Sequence, residues 1–285
     1  MQKVAIITDS IACLTPEMRR QYPLRIVPFN ILFEDKLYLE GVDITPTEAY
    51  KLLEKAPDHW KAGPPRVSDY LEAFRELSAQ FQTILCITLS SKLSGAYEAA
   101  CVAKNEAKDE LPRITIEVLD SMTVTGGEGL IALAAARAAA EGRNLAEVIK
   151  TAKMVKDRVS VIVAMETTRH LHRTGRMPKI AAQVISIINI KPILAISGGI
   201  VRFTGVARTK ERGVNRLLTT MKEKIGASPA HVAVMHADVP DEGERLRQRI
   251  SSEFNCLDLW LSEFSPVMGY ATGKGTLVIA FYPED

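Results

Sequence analysis

Residues 87–100 read ITLSSKLSGAYEAA. A β-branched run stops at Ser90-Ser91, Ser94-Gly95 follow, and helix-favouring residues begin. A helix N-terminus leaves backbone N–H groups unpaired and carries a partial positive charge. A carboxylate or phosphate placed there takes several hydrogen bonds without a full counter-charge. Gly95 permits close approach to the backbone, and Ser94 has a hydroxyl to donate. The same pattern also describes a capped turn, worth ~1 kcal/mol. Two other predicted strand ends carry polar groups: Thr8-Asp9-Ser10 and Asp120-Ser121. In an open parallel sheet such ends lie along one edge, where ligands bind. Asp9, Ser10, Ser91, Ser94, Gly95 and Ser121 are therefore expected along one edge. There is no GxxxxGK[ST] and no GxGxxG. Gly126-Gly127-Glu128-Gly129 is Gly-rich but lies in or beside a helix start, where packing against the adjacent turn explains it equally well.

Other polar clusters are less pointed. Arg169, Arg173, Arg176 and Lys179 lie within eleven residues without an acid. Arg202, Arg208, Lys210, Arg212 and Arg216 lie near Glu211 alone. Each reads either as a solvated helix face or as a dock for an acidic surface or phosphate. His170-x-His172 lacks a third ligand at suitable spacing, so no metal is expected. His236-Ala237-Asp238 fits a helix-start loop better than an acid–base pair. No GxSxG elbow and no specific Ser-His-Asp set is present. Cys13, Cys86, Cys101 and Cys256 form no CxxC pair and read as buried free thiols.

These residues need elements to hold them. Strands are predicted over 3–8, 24–33, 83–89 and 113–119. Pro28 makes the second an edge or bulged strand. Helices are predicted from Pro16, from Pro46 to about Lys55, over 69–80 with Ser68 as cap, from the Ser94-Gly95 turn to about Lys108, over 123–141, and from Asn144 to about Asp157. Residues 62–65 read as a loop. Strand alternating with helix gives a parallel sheet covered on both faces. After about Arg158 the rhythm changes. Strands over 159–165, 191–196, 200–203, 231–235, 256–261 and 277–281 mix a Ser197-Gly198-Gly199 hairpin with helices over 167–174, 180–188, 208–225 and 240–252. This is an α/β chain of two domains. Residues 1–158 form a three-layer α/β/α unit with a parallel sheet. Residues 159–285 form a two-layer unit with a mixed sheet.

The chain has 285 residues, 47% hydrophobic and 25% charged, with net charge +2. That balance suits a globular protein with an ordinary core. It gives no general case for nucleic acid or an anionic membrane, and aromatics are too few among the basic runs for base stacking. No stretch is apolar enough to span a bilayer. The first residues start a strand rather than a signal sequence, so a cytoplasmic location is expected.

Several stretches together resemble the DegV family: TDSIACLTPE, VPFNILFEDKLYLEGVDIT, ITLSSKLSGAYEAA, VLDSMTVTGGEGLIALAAARAAAEG, LHRTGRM, IKPILAISGGIV, ARTKERG and MHADVPDEGERL. They occur in the family's order over nearly the full chain. The resemblance implies a two-domain α/β protein that binds one long-chain fatty acid in a tunnel between its domains. It implies no cofactor and no catalytic residue. In bacteria that have fatty acid kinase, the resemblance implies the lipid-carrying subunit, which presents the carboxylate to a separate kinase subunit that makes the acyl phosphate. The carboxylate is then expected at Ser94-Gly95. Arg176 and Arg208 either neutralise the head or serve the partner, and Arg173, Arg202, Lys210 and Arg212 join them on the docking side. Two positions depart from the family. Where it commonly has Thr-Ser-Gln-Pro-Ser, this chain has Ala62-Gly63-Pro64-Pro65-Arg66, so Ala62 replaces the head-group threonine. Where it often has a histidine before Gly-Pro-Gly, this chain has Tyr270. Arg66 or Lys274 could compensate in charge. Two other readings stay open: an enzyme acting on a small phosphorylated or carboxylated substrate at the same edge, and a carrier of another ligand.

Overall fold

The computed structural model describes residues 4–22, 24–171, 175 and 190–284. Its first sheet has the order β2-β1-β6-β7, formed by β1 (Val4–Asp9), β2 (Leu24–Val27), β6 (Thr83–Thr88) and β7 (Thr115–Asp120), all parallel. β1 and β6 are buried along their full lengths, as continuous apolar runs in a two-sided sheet require. Ala5, Ile7, Ile84 and Cys86 face α3 (Val67–Ser78) and α4 (Ala96–Glu110). Val4, Ile6, Leu85 and Ile87 face α5 (Gly126–Ala140) and α6 (Leu145–Arg158).

The second sheet is mixed. Its order is β10-β9-β8-β13-β11-β12, from β8 (Ser160–Ala164), β9 (Lys191–Ser197), β10 (Ile200–Ala207), β11 (Ala230–His236), β12 (Cys256–Glu263) and β13 (Leu277–Pro283). Only the β11–β12 pair is parallel. One face packs on α5 and α6; the other packs on α7 (Lys210–Ile225) and α8 (Pro240–Glu253). The layers thus run helices, parallel sheet, α5/α6, mixed sheet, helices. A helix between two sheets must be apolar all round. All of α5 is buried except Arg137 and Ala140 as the half-exposed or terminal positions, which explains its alanines and opening glycines.

The sequence reading of 24–33 as one strand needs correction. Pro28 ends β2, and Asn30–Phe33 forms β3 in a different sheet. β3 is the centre of a small antiparallel sheet, between β4 (Lys36–Leu39) and β5 (Trp60–Gly63). Residues 62 and 63 therefore belong to a strand, not a loop. They stand in register with Ile31 and Asn30, a long-range pairing that local composition does not reveal. α1 (Pro16–Gln21) and α2 (Pro46–Lys55) begin as expected, capped by Thr15 and Thr45. α3 begins earlier than Ser68: Arg66 is its N-cap residue, and the Asp69 carboxylate accepts from the Arg66 N–H at 2.7 Å. A short helix α9 (Pro266–Thr272) was not predicted. The helix expected over 180–188, and residues 172–174 of the one over 167–174, lie outside the described residues.

Candidate functional site

The β6–α4 connection is built from its own hydroxyls. Ser90 Oγ donates to the Gly199 carbonyl at 2.7 Å, and Lys92 Nζ to the Gly198 carbonyl at 2.7 Å, so the β9–β10 hairpin tip is fastened to this turn. Leu93 and Ser94 N–H groups both donate to the Ser90 carbonyl, at 3.0 and 3.2 Å. Gly95 is the N-cap of α4, and Ser94 Oγ accepts from the Ala96 N–H at 3.3 Å. That bond uses a lone pair of Ser94 and leaves its hydroxyl proton for another acceptor. An alanine Cβ built at Gly95 meets nothing within 4 Å, so the approach to the helix end is open.

Ser94 stands on the wall of a cavity of about 320 Å³. Ala62, Gly63 and Tyr270 line the same cavity. The remaining wall is mostly apolar: Ile11, Phe29, Trp60, Leu89, Leu93, Val201, Val267 and Met268, with Lys61, Pro64, Ala271 and Thr272. Trp60 and Tyr270 stack with ring centroids 6.4 Å apart. Four of the residues singled out from sequence therefore meet at one cavity, with Gly95 beside them. The apolar wall was missed, because a cavity-lining Leu or Phe has the same pattern as a core one.

The other predicted edge residues serve the turns. Asp120 accepts from Ser91 Oγ at 2.5 Å and from the Met122 N–H at 2.9 Å. Ser121 Oγ accepts from the Thr123 N–H at 3.2 Å. Asp9, fully buried, accepts from the Leu89 N–H at 3.0 Å and the Ile11 N–H at 3.0 Å, and so fixes two residues of the cavity wall. Asp9 and Ser10 themselves line a second cavity of about 430 Å³, together with Glu17, Glu40, Thr45, Glu263 and Ser265. Glu128, also fully buried, accepts from Thr8 Oγ1 at 2.6 Å and lies against Asp9. Burial holds the Asp9 carboxyl up at about 7 and the Glu128 carboxyl well above the usual range, with their mutual repulsion adding to the latter. Burial also raises Glu40.

The compensating charges are committed elsewhere. Arg66 pairs with Asp69 at 2.8 Å, and Lys274 with Asp238 at 2.7 Å and Glu54 at 3.2 Å. Lys210 pairs with Glu242 and, at 3.5 Å, with Glu166. Arg202, Arg208 and Arg212 are exposed. Arg173 and Arg176 lie outside the described residues. His236 Nδ1 accepts from the Val239 N–H at 3.4 Å rather than engaging Asp238. All four cysteines are free thiols, Cys13 and Cys86 buried and the other two half-buried. Among the described residues no three His, Cys, Asp or Glu side chains are grouped to hold a metal ion, and no helix is long and apolar enough to cross a membrane.

Fold and site together define an α/β protein with an apolar cavity that ends beside a helix N-terminus. The sequence model of the DegV family, described as uncharacterised proteins, matches residues 3–284. The chain belongs to the DegV family. It is 31% identical over 256 residues to a DegV domain-containing protein of Caldanaerobacter subterraneus subsp. tengcongensis, covering 89% of each chain. It is 25% identical over 280 residues to the protein DegV of Bacillus subtilis, covering 98% of each. Among solved structures it resembles that of DegV from B. subtilis, described as a fatty acid binding protein (TM-score 0.89, 24% identity, all of both chains). It also resembles a stearic acid-binding protein from Eubacterium ventriosum (TM-score 0.91, 23% identity, 99% of this chain and 98% of that one). These likenesses establish the mixed α/β fold with one parallel and one mixed sheet.

Proposed function

We propose that this chain binds one long-chain fatty acid, with its carboxylate at Ser94-Gly95 and its tail in the 320 Å³ cavity. The supporting observation is the cavity's polarity pattern: a wall of aliphatic and aromatic side chains meeting a serine hydroxyl and the N-terminus of a fifteen-residue helix. An anionic head suits the helix end, and each buried methylene contributes ~0.8 kcal/mol. The solved relatives' descriptions as fatty acid binders agree with this reading. Asp9 positions the wall through Leu89 and Ile11 rather than touching the head. In this reading residues 1–158 and 159–285 are two domains, and the cavity lies where Val201, Val267 and Tyr270 of the second meet Trp60, Ala62 and Ser94 of the first. The chain is a carrier that offers the carboxylate to a kinase, which performs the phosphoryl transfer. The exposed Arg202, Arg208 and Arg212 supply the basic surface for that docking.

Mass spectrometry of an organic extract of the purified, denatured protein is expected to show one equivalent of a long-chain fatty acid. An empty extract, or a small polar anion in its place, would mean that Ala62 and Tyr270 have changed the ligand. In a separate titration, Ser94→Ala is expected to weaken fatty acid binding by roughly 1–3 kcal/mol, the value of one hydrogen bond to a charged group. Equal affinity for wild type and variant would remove Ser94 as the head-group donor.

A further inference from the structure

Glu40 follows β4, is 5% exposed, and bonds to two serines from opposite ends of the chain. One carboxylate oxygen accepts from Ser10 Oγ. The other accepts from Ser265 Oγ at 2.5 Å and from the Val267 N–H at 3.5 Å. Ser10 Oγ in turn accepts from the Phe29 N–H at 3.0 Å. This chain of bonds ties the end of β1, the entry to β3 and the start of α9 to one buried carboxylate.

α9 is the element that gains from it. Val267, Met268, Tyr270, Ala271 and Thr272, five of its seven residues, line the 320 Å³ cavity. Phe29 and Ile11, next to the other arms of the clasp, line it too. The clasp has open space behind it: Ser10, Glu40, Ser265 and Pro266 face the second cavity, while their neighbours Ile11 and Val267 face the first. Packing from that side is thus interrupted, and the bonds to Glu40 add to the apolar packing of Val267, Met268 and Ala271 on the other side. The segment is also fastened by Tyr50, whose hydroxyl donates to the Phe264 carbonyl at 2.9 Å, and by the Phe264 N–H, which donates to the His236 carbonyl at 2.8 Å. Three donors converging on one side chain need an acceptor with two oxygens and no proton of its own, which is what a carboxylate offers. Burial works against its charge and the bonds from Ser10, Ser265 and Val267 work for it.

We infer that Glu40 is a positioning residue for the ligand cavity: through Ser265 and Val267 it holds α9 down as the cavity's closing wall, and so sets how fast a bound ligand leaves. The release clause rests on the fatty acid reading; the holding of α9 does not. The test therefore reads both. Hydrogen exchange is measured over residues 267–272 and, for comparison, over α3. Release of cis-parinaric acid, a fluorescent long-chain fatty acid, is followed by stopped flow. Glu40→Ala is expected to raise exchange in 267–272 about tenfold with α3 unchanged, and to speed release about tenfold with the association rate little altered. Glu40→Gln keeps an oxygen for Ser265 and Val267 but offers Ser10 a donor in place of an acceptor, and is expected to recover part of both effects. Ser265→Ala, a milder lesion, gives a smaller rise in the same peptide. Exchange in 267–272 that stays at the wild-type rate in Glu40→Ala overturns the clasp, as does a rise shared equally by α3. If wild type takes up no probe while exchange rises locally, the clasp stands and the fatty acid reading falls. If the probe binds and neither readout moves, the lipid reading stands and the clasp falls.

Discussion

The protein is expected to melt at a lower temperature at pH 8 than at pH 5, by on the order of 10 °C, and Glu128→Gln is expected to remove part of the difference. The expectation comes from Asp9 and Glu128, both at 0% exposure, in contact between β1 and α5. In the unfolded chain an aspartate loses its proton near pH 3.9. In the fold Asp9 keeps it to about 7, and Glu128 is held well above the ordinary carboxylate range, because burial disfavours both charges and the Asp9 charge adds to the effect at Glu128. Between those limits the folded state binds more protons than the unfolded one, so stability falls as pH rises. At ~1.4 kcal/mol per pH unit, Asp9 alone carries several kcal/mol over that span. At ~2–4 °C per kcal/mol this gives the stated shift. Glu40, raised by burial, acts with the same sign. So does His231, whose pKa is raised although burial opposes its charge: it stands between Asp258 and Glu284, and the stability it brings is lost as pH climbs above its folded value. Asp258 acts oppositely. Burial resists its charge, yet bonds from His231 and Arg137 hold it well below the usual range, so its contribution is complete above about pH 4 and is lost only in stronger acid. The optimum therefore falls in mild acid. Gln at 128 can still accept from Thr8 and removes the proton that Glu128 itself retains in the fold, while burial continues to hold Asp9 up. Thermal melts of wild type and Glu128→Gln from pH 4.5 to 8.5 check this; parallel curves would rule out the pair as the source.

Much of the fold was legible because its signals are local. The apolar runs of β1 and β6 announce two-sided burial. Thr15-Pro16 and Thr45-Pro46 announce α1 and α2, since a capping hydroxyl before proline has few other uses. The small sheet was not legible. β3, β4 and β5 have four residues each, and β5 pairs with β3 across about thirty residues of chain. β4, on the other side of β3, follows it after only Glu34 and Asp35. At the site, the polar end could be found, because Ser94-Gly95 combines a strand end, a hydroxyl and a glycine. The apolar end could not, because Trp60 and Met268 differ from core residues only in what lies on their free side. The edge argument also reached too far. Asp9, Ser91, Asp120 and Ser121 do sit at carboxyl ends of parallel strands, but their oxygens are consumed by nearby backbone N–H groups and hydroxyls, as short polar side chains in turns commonly are. Sequence gives the presence of a donor; only geometry says whether a ligand or the turn itself receives it.

The glycines at the start of α5 show the converse, where packing alone decides. A Cβ added at Gly129 would stand 2.4 Å from the Ala12 carbonyl oxygen and 3.3 Å from Leu14 Cδ2. The first of these atoms belongs to the backbone and cannot rotate away. Either α5 or the turn at residues 10–12 has to move, and overpacking of this kind costs about 1–3 kcal/mol. Alanine returns ~1 kcal/mol through helix propensity, so Gly129→Ala is only moderately destabilising. Gly129→Val adds two methyl groups at the same place without that return, and is expected to lower the melting temperature by roughly 5–10 °C. Gly95→Ala serves as the control, because nothing lies within 4 Å of its Cβ. It should melt with wild type. The position matters beyond stability. Ile11, one residue before Ala12, is a wall of the 320 Å³ cavity and takes its place from Asp9. A turn pushed away from α5 carries Ile11 with it, so under the proposed function Gly129→Val should also bind less fatty acid per mole of folded protein at temperatures where it is fully folded. A variant that melts like wild type would mean that α5 and the 10–12 turn are not in close contact. One that melts low but binds fully would mean that the strain is absorbed by α5, on the side away from the cavity.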